Sequence, residues 1–287
     1  LMNNIIEILE TYLIYTCSII FLNLKDLNLC FNLKTDKTII SDLPDKLESN
    51  RYCQLSPQQA ALYQTTVGNL MQELEDVSEG VERRGLILKL LNALKQICNS
   101  SAQYLGHAQA STDESGKLAA LIEILREADD AGEKVLIFTQ YTKMGDLLQQ
   151  QIQAELNLQA PFLHGGLSRT QRDTLVEDFQ QDNRMRMMVL SLKAAGTGLN
   201  LTAASQVVHY DLWWNPAVEA QATDRAFRIG QQQRVLVHRL ITEHSFEEKI
   251  DEMIQKKKEL ADLTVASGEQ WVTELSNDQL RELIRLS

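Results

Sequence analysis

From residue 116 onward the chain alternates between amphipathic helical stretches and short runs of continuous apolar residues. In KLAALIEILREA, Leu118, Leu121, Ile122 and Leu125 fall at i, i+3, i+4 and i+7, the spacing that lines one face of a helix. KVLIFTQ (134–140) then runs apolar without alternation between polar ends, as a strand buried on both faces does. A helix over 143–156, a short strand in PFLHG and a helix after Ser168 carrying Leu175, Val176 and Phe179 follow. MRMMVLSL (185–192), QVVHYD (206–211) and VLVHRLI (235–241) are three further strands, with a helix over 217–227 before the last. Such alternation builds βαβ units, so the predicted fold is α/β: a parallel sheet with helices on both faces. Ligands of such sheets bind at the carboxyl ends of the strands, which makes the segments just after strands the place to look for chemistry.

Upstream, 56–104 is helical in period and nearly free of breakers. Ser56 is placed as an N-cap and Pro57 at the first helical position, and GHAQASTDESG (106–116) is a polar loop. Residues 1–32 differ in character: they hold no Gly, Pro or Arg, and the apolar run 12–24 is thirteen residues long, short of the ~20 needed to span a bilayer. No Lys or Arg precedes that run, so the positive region of a signal peptide is missing, and the chain starts at Leu1 as a fragment or an unusual start would. No membrane partner is expected.

Composition bears on partners. The 28 Lys and Arg against 39 Asp and Glu give a net charge of −11, so any nucleic-acid contact must use a local basic patch. Such a patch exists in sequence: residues 181–240 carry seven basic against four acidic side chains, whereas 241–287 carry six against eleven. Cys17, Cys30, Cys53 and Cys98 lie far apart with no C-x-x-C pair; reduced, mostly buried thiols in a cytoplasmic protein are expected, and no metal site.

Three segments follow strands. SLKAAGTGLNLTAA (191–204) sets Lys193 before Gly196-Thr197-Gly198; glycines let backbone N–H groups approach an anion, yet the pattern is neither a P-loop nor G-x-G-x-x-G, and a plain tight turn accounts for it as well. The missing third glycine also argues against a dinucleotide-binding enzyme. DLWWNP (211–216) puts two Trp on opposite sides of a strand, so core packing explains one, and an exposed indole beside Asn215 suits a nucleotide or sugar face. QATDRAFRIGQ (221–231) spaces Gln221, Asp224, Arg225 and Arg228 three and four apart, along one side of a helix. Two converging guanidiniums suit terminal phosphoryl oxygens; a solvated face with an Asp224–Arg228 ion pair is the plainer alternative.

Taken in order, these segments resemble the C-terminal lobe of superfamily-two helicases of the SWI/SNF type, DNA-dependent ATPases. KVLIFTQYTKMGDLL resembles their motif IV region, FLHGGLSRTQRDTLVEDFQ the segment after it, LKAAGTGLNLTAA motif V, DLWWNP the tryptophan motif and QATDRAFRIGQ motif VI, while EEKIDEMIQKKKELADLTV resembles a brace helix. The resemblance implies a RecA-like lobe over 113–265, a linker and helical protrusion over 33–112, and a helical tail over 266–287 packing on the lobe, with 1–32 outside the family pattern. It implies arginine fingers at Arg225 and Arg228, oriented with the attacking water by Gln221 and Asp224. Gly196, Thr197 and Gly198 would bind at the nucleotide cleft and link it to DNA, and Lys193, Thr139, Gln140, His164, Gly165 and Trp214 would touch DNA. The implied cofactor is ATP with Mg2+, held mainly by a P-loop lobe; the implied partners are that lobe and double-stranded DNA, in the bacterial cytosol or a eukaryotic nucleus.

Within this sequence there is no Walker A loop and no D-E-x-H box, so the stretch is expected to be inactive alone. The alternative function is a non-catalytic DNA- or protein-binding fragment. Ala195 stands where motif V usually has glycine, and Phe227 where the family often has His or Tyr. The remodelled substrate and the oligomeric state are not legible from these residues.

Overall fold

The computed structural model describes residues 44–77, 80–191, 199–228, 230–260 and 269–286, all within one compact unit of residues 43–287. Its centre is a six-stranded, all-parallel sheet made of β1 (Lys46–Cys53), β2 (Val135–Thr139), β3 (Phe162–Leu163), β4 (Met187–Ser191), β5 (Gln206–His209) and β6 (Val235–Thr242). Their order across the sheet is β1-β6-β5-β2-β4-β3.

The period-two geometry of a strand sends successive side chains to opposite layers. Val135 and Ile137 of β2 pack with α4 (Gly116–Asp130) and α5 (Thr142–Leu156), while Leu136 and Phe138 face Phe179 of α6 (Arg169–Gln181) and Ala222 of α7 (Pro216–Thr223). Both faces are therefore covered, as the uninterrupted apolar runs require. A Cβ on Gly145 would stand 2.3 Å from the Phe162 ring, so glycine there lets α5 close on β3.

A separate helical layer holds its own core. It comprises α1 (Pro57–Glu75), α2 (Val81–Asn99), the short α3 (Ser101–Leu105), α8 (Phe246–Leu260) and α9 (Asn277–Ile284). Tyr63, Leu74, Leu90, Leu94, Phe246, Ile250 and Leu280 are buried together there, and the Tyr63 hydroxyl donates to the Ile284 carbonyl at 2.8 Å. The Ser56 cap is present as a reciprocal capping box with Gln59, followed by Pro57. Among the described residues no helix is long and apolar enough to cross a membrane.

Two elements differ from the sequence expectation. KLESNRYC, placed by pattern in a linker, is β1 and pairs with β6 from Lys46–Val235 to Cys53–Thr242. It is an edge strand whose Leu47 and Tyr52 are exposed, so backbone pairing defines it and no apolar alternation announces it. The helix expected over 217–227 ends at Thr223: the amides of Arg225 and Ala226 donate to the carbonyls three residues back, Ala222 and Thr223, tightening the chain into turns.

Candidate functional site

At the carboxyl ends of β2 and β5 lies a buried polar network. Asp211, just past β5, is 1% exposed; its carboxylate accepts from the Thr139 hydroxyl at 2.5 Å, the Gln140 amide at 2.9 Å and the Asn99 side chain at 3.3 Å. Burial pushes this carboxyl above the usual range, and the Thr139 and Gln140 donors oppose that push. Asn99, the last residue of α2, in turn accepts from Lys117 at 3.4 Å. Lys117 pairs with Glu247 of α8 at 2.8 Å, and Glu247 also accepts the Thr242 amide at the end of β6. Six strand and helix ends, of β2, β5, β6, α2, α4 and α8, are thus tied through buried polar and charged groups.

Beside it stands α7, capped by Asn215, whose side chain accepts from the Ala217 amide, with Pro216 in the first turn. Gln221, in the last turn of α7, is exposed; in the turns after it Asp224 and Arg228 are exposed and Arg225 is 8% exposed. Among the described residues neither arginine has a carboxylate within ion-pair distance, so the Asp224–Arg228 pair of the plainer reading does not form. The Arg225 Nε is buried without a hydrogen-bond partner. Burial, and then Arg228, push its guanidinium below the ordinary arginine value, with Asp224 opposing.

The same turns are tied to the stretch that follows the glycine motif. The Leu201 amide donates to the Arg225 carbonyl at 3.0 Å, and Arg228 Nη1 reaches the Leu199 carbonyl at 3.4 Å. Gln231 Nε2 clamps both sides, donating to the Ala204 carbonyl at 2.8 Å and the Ala226 carbonyl at 3.0 Å.

Residues 116–230 match the helicase conserved C-terminal domain. The SWI2/SNF2 ATPase C-terminal domain of Sulfolobus solfataricus superposes with a TM-score of 0.73 at 43% identity, over 85% of this chain and 100% of that one. The chain belongs to this family. It is a RecA-like C-terminal helicase lobe of the SWI2/SNF2 type. The Sulfolobus ATPase core in complex with double-stranded DNA matches at 46% identity and a TM-score of 0.77, over 88% of this chain and 53% of that one. The putative ATP-dependent helicase/translocase YwqA of Bacillus subtilis is 46% identical over 256 residues, 88% of this chain and 27% of that protein. The lobe thus spans about a quarter of the curated relatives it matches.

Two of the residues expected to touch DNA have buried side chains. Thr139 is fully buried with its hydroxyl committed to Asp211, and Trp214 is 5% exposed, its ring edge-on to Phe246 and under Lys95 Nζ at 4.0 Å from the centroid. Both serve the core of the lobe. Trp213, in the segment after β5, packs partly buried against the other layer, so neither indole stands free. Gln140 is half-buried and donates to the Leu212 carbonyl; His164 is half-buried, accepting the Gly166 amide at Nδ1, and Gly165 is exposed. Lys193, Gly196, Thr197 and Gly198 lie outside the described residues. Among the described residues no group of three or more His, Cys, Asp or Glu could hold a metal ion.

Sequence reasoning missed the partners of Asp211 and a buried cluster around Arg239, whose guanidinium meets Glu219 of α7 and Asp251 of α8. Burial pushes Glu219 from 4.5 up to about 7, with Arg239 opposing and Asp251 adding to the rise. His209 lines the same small cavity with Lys46, Glu48 and Gln255, and burial keeps it neutral. Between pH 4.5 and 7 the folded lobe keeps a proton on Glu219 that the unfolded chain has released, so stability falls as pH rises through this window. Glu219→Gln is expected to remove that fall, improving relative to the parent by up to about 3 kcal/mol between pH 5 and 8. Urea denaturation at both pH values measures it; an unchanged difference means Glu219 does not carry the proton.

Proposed function

We propose that this lobe is the second half of an ATP-driven motor that translocates along double-stranded DNA, of the chromatin-remodelling type. Arg228 acts as the arginine finger, reaching across a cleft to the γ-phosphate of ATP held with Mg2+ on a P-loop lobe. The observation that supports this most directly is the pair Arg225 and Arg228: two adjacent guanidiniums, one exposed and one desolvated, without a carboxylate partner among the described residues. Cations left unpaired beside one another fit an anion, so the residues present suit a triphosphate. When bound, ATP supplies the phosphoryl group whose transfer to water releases the energy for movement.

Arg228 then neutralises charge that grows on the phosphoryl oxygens, and Arg225 behind it raises the positive potential at the same rim. Gln221, exposed in the last turn of α7, and Asp224, exposed just after it, orient the fingers and the attacking water. Gln231 and the Leu201–Arg225 bond stiffen the loop, so Arg228 is aimed before the lobes close. Gly196, Thr197 and Gly198 connect this cleft with the DNA track, to which Lys193, Gln140, His164 and Gly165 contribute. A double-stranded DNA complex exists for the Sulfolobus core, which supports DNA as the partner here too. Action in the cytosol, or in a nucleus, follows from that substrate.

Lys193→Ala in the joined two-lobe motor is expected to weaken DNA stimulation and to reduce the slope of log affinity against log salt by about one unit. Fluorescence anisotropy with a short duplex at several salt concentrations measures this. An unaltered slope removes Lys193 from the track.

A further inference from the structure

Arg239 lies within β6, and its side chain is 11% exposed. Its Nε donates to Glu219 of α7 at 3.1 Å, and Nη2 and Nη1 donate to Asp251 of α8 at 2.6 and 3.3 Å. Nη1 also reaches the Asn50 side chain of β1 at 3.2 Å. One planar fork therefore joins the sheet edge, the helix of the arginine fingers and the brace helix, a geometry an ammonium on a flexible stem does not reproduce.

Few apolar side chains fix the helix it holds. Ala222 is the buried apolar side chain of α7; Glu219 and Thr223, its other buried residues, make polar ties, Thr223 to His209 at 2.9 Å. Beneath them is a cavity of about 140 Å³ lined by Lys46, Glu48, His209, Glu219, Thr223 and Arg239, among others. By contrast α8 is anchored in the helical layer through Phe246, Ile250 and Ile254. Directional bonds, more than close packing, set the attitude of α7.

We propose that Arg239 is a positioning residue for the ATPase: by bridging Glu219 and Asp251 it transmits the placement of α8 to α7, and so aims Arg228. This deepens the proposed function and rests on the finger reading of Arg228. The bridge acts on rate more than on stability, because a buried carboxylate pair sharing one guanidinium contributes little net folding energy yet fixes geometry.

The test uses the lobe joined to its P-loop lobe, with DNA-stimulated hydrolysis and thermal denaturation measured together. Glu219→Ala, which removes the α7 arm and leaves Arg239 paired with Asp251, is expected to lower kcat about tenfold with KM for ATP within twofold and the melting temperature unchanged or raised. Glu219→Gln keeps an acceptor for Arg239 Nε and should return kcat to within about threefold of the parent. Arg239→Lys keeps the charge without the span and should behave like Glu219→Ala; if it does not fold, the Glu219 pair decides alone. Glu219→Ala with normal kcat, or a loss that tracks a lowered melting temperature and is not rescued by glutamine, overturns the proposal. Arg228→Ala in the same motor separates the two readings: if it retains turnover, the finger assignment falls and this inference with it; if it is inactive while Glu219→Ala is normal, only the bridge falls.

Discussion

Arg228→Ala is expected to abolish ATP turnover in the joined motor, by roughly 10³–10⁵ in kcat, while ATP affinity changes less than about threefold. The affinity survives because this lobe contributes charge at the terminal phosphate and the P-loop lobe holds the nucleotide. The fold survives too: Arg228 is exposed and, among the described residues, its guanidinium reaches the Leu199 carbonyl at 3.4 Å, so its removal leaves no hole. Arg225 is a poorer probe, since at 8% exposure its loss also disturbs packing. Single-turnover hydrolysis alongside equilibrium binding of labelled ATP separates the two effects. Turnover within about twofold of the parent contradicts the finger role.

The second large effect concerns folding. Lys117→Ala should destabilise the lobe by about 3–5 kcal/mol, because it leaves the Glu247 carboxylate charged and without its partner where water cannot reach. Both side chains are nearly inaccessible, at 0% and 3%. Burial disfavours the Lys117 charge, yet Glu247 beside it keeps the ammonium above the ordinary lysine value. Set against a typical domain stability of about 5–15 kcal/mol, such a loss is a large share of the whole. Replacing both partners, Lys117→Met with Glu247→Leu, should recover most of it, since an apolar pair of similar size carries no uncompensated charge. Urea denaturation compares the three proteins; a single-variant cost below about 1 kcal/mol would show that water reaches the pair after all.

What the sequence announced and what it hid divide along physical lines. Local signals were reliable: the Ser56 cap with Pro57, the apolar face of α4 and the continuous runs of β2 and β4 all depend on residues within a few positions of one another. They suffice to predict a parallel sheet covered on both faces. β1 escaped notice because an exposed edge strand is specified by backbone pairing with a strand almost two hundred residues away. The tie of Asp211 to Asn99 and of Lys117 to Glu247 likewise spans more than a hundred residues and leaves no spacing to read. The strand expected over 206–211 ends at His209, so the two Trp sit past it, and strand alternation does not say what each of them meets. Phe246 and Lys95 meet Trp214, which takes it into the core. The spacing of Gln221, Asp224, Arg225 and Arg228 predicts one helical face, whereas the helix stops at Thr223 and the turns after it leave Arg225 buried and Arg228 exposed.

The central claim is that this lobe completes an ATP site it does not itself contain. Phosphate release measured on the lobe alone, on its P-loop lobe alone and on the two joined, each with and without duplex DNA, tests it most directly. The account predicts silence from each half and DNA-stimulated hydrolysis from the joined pair. A joined pair as silent as its halves, with DNA still bound, would contradict it and leave a binding module in its place.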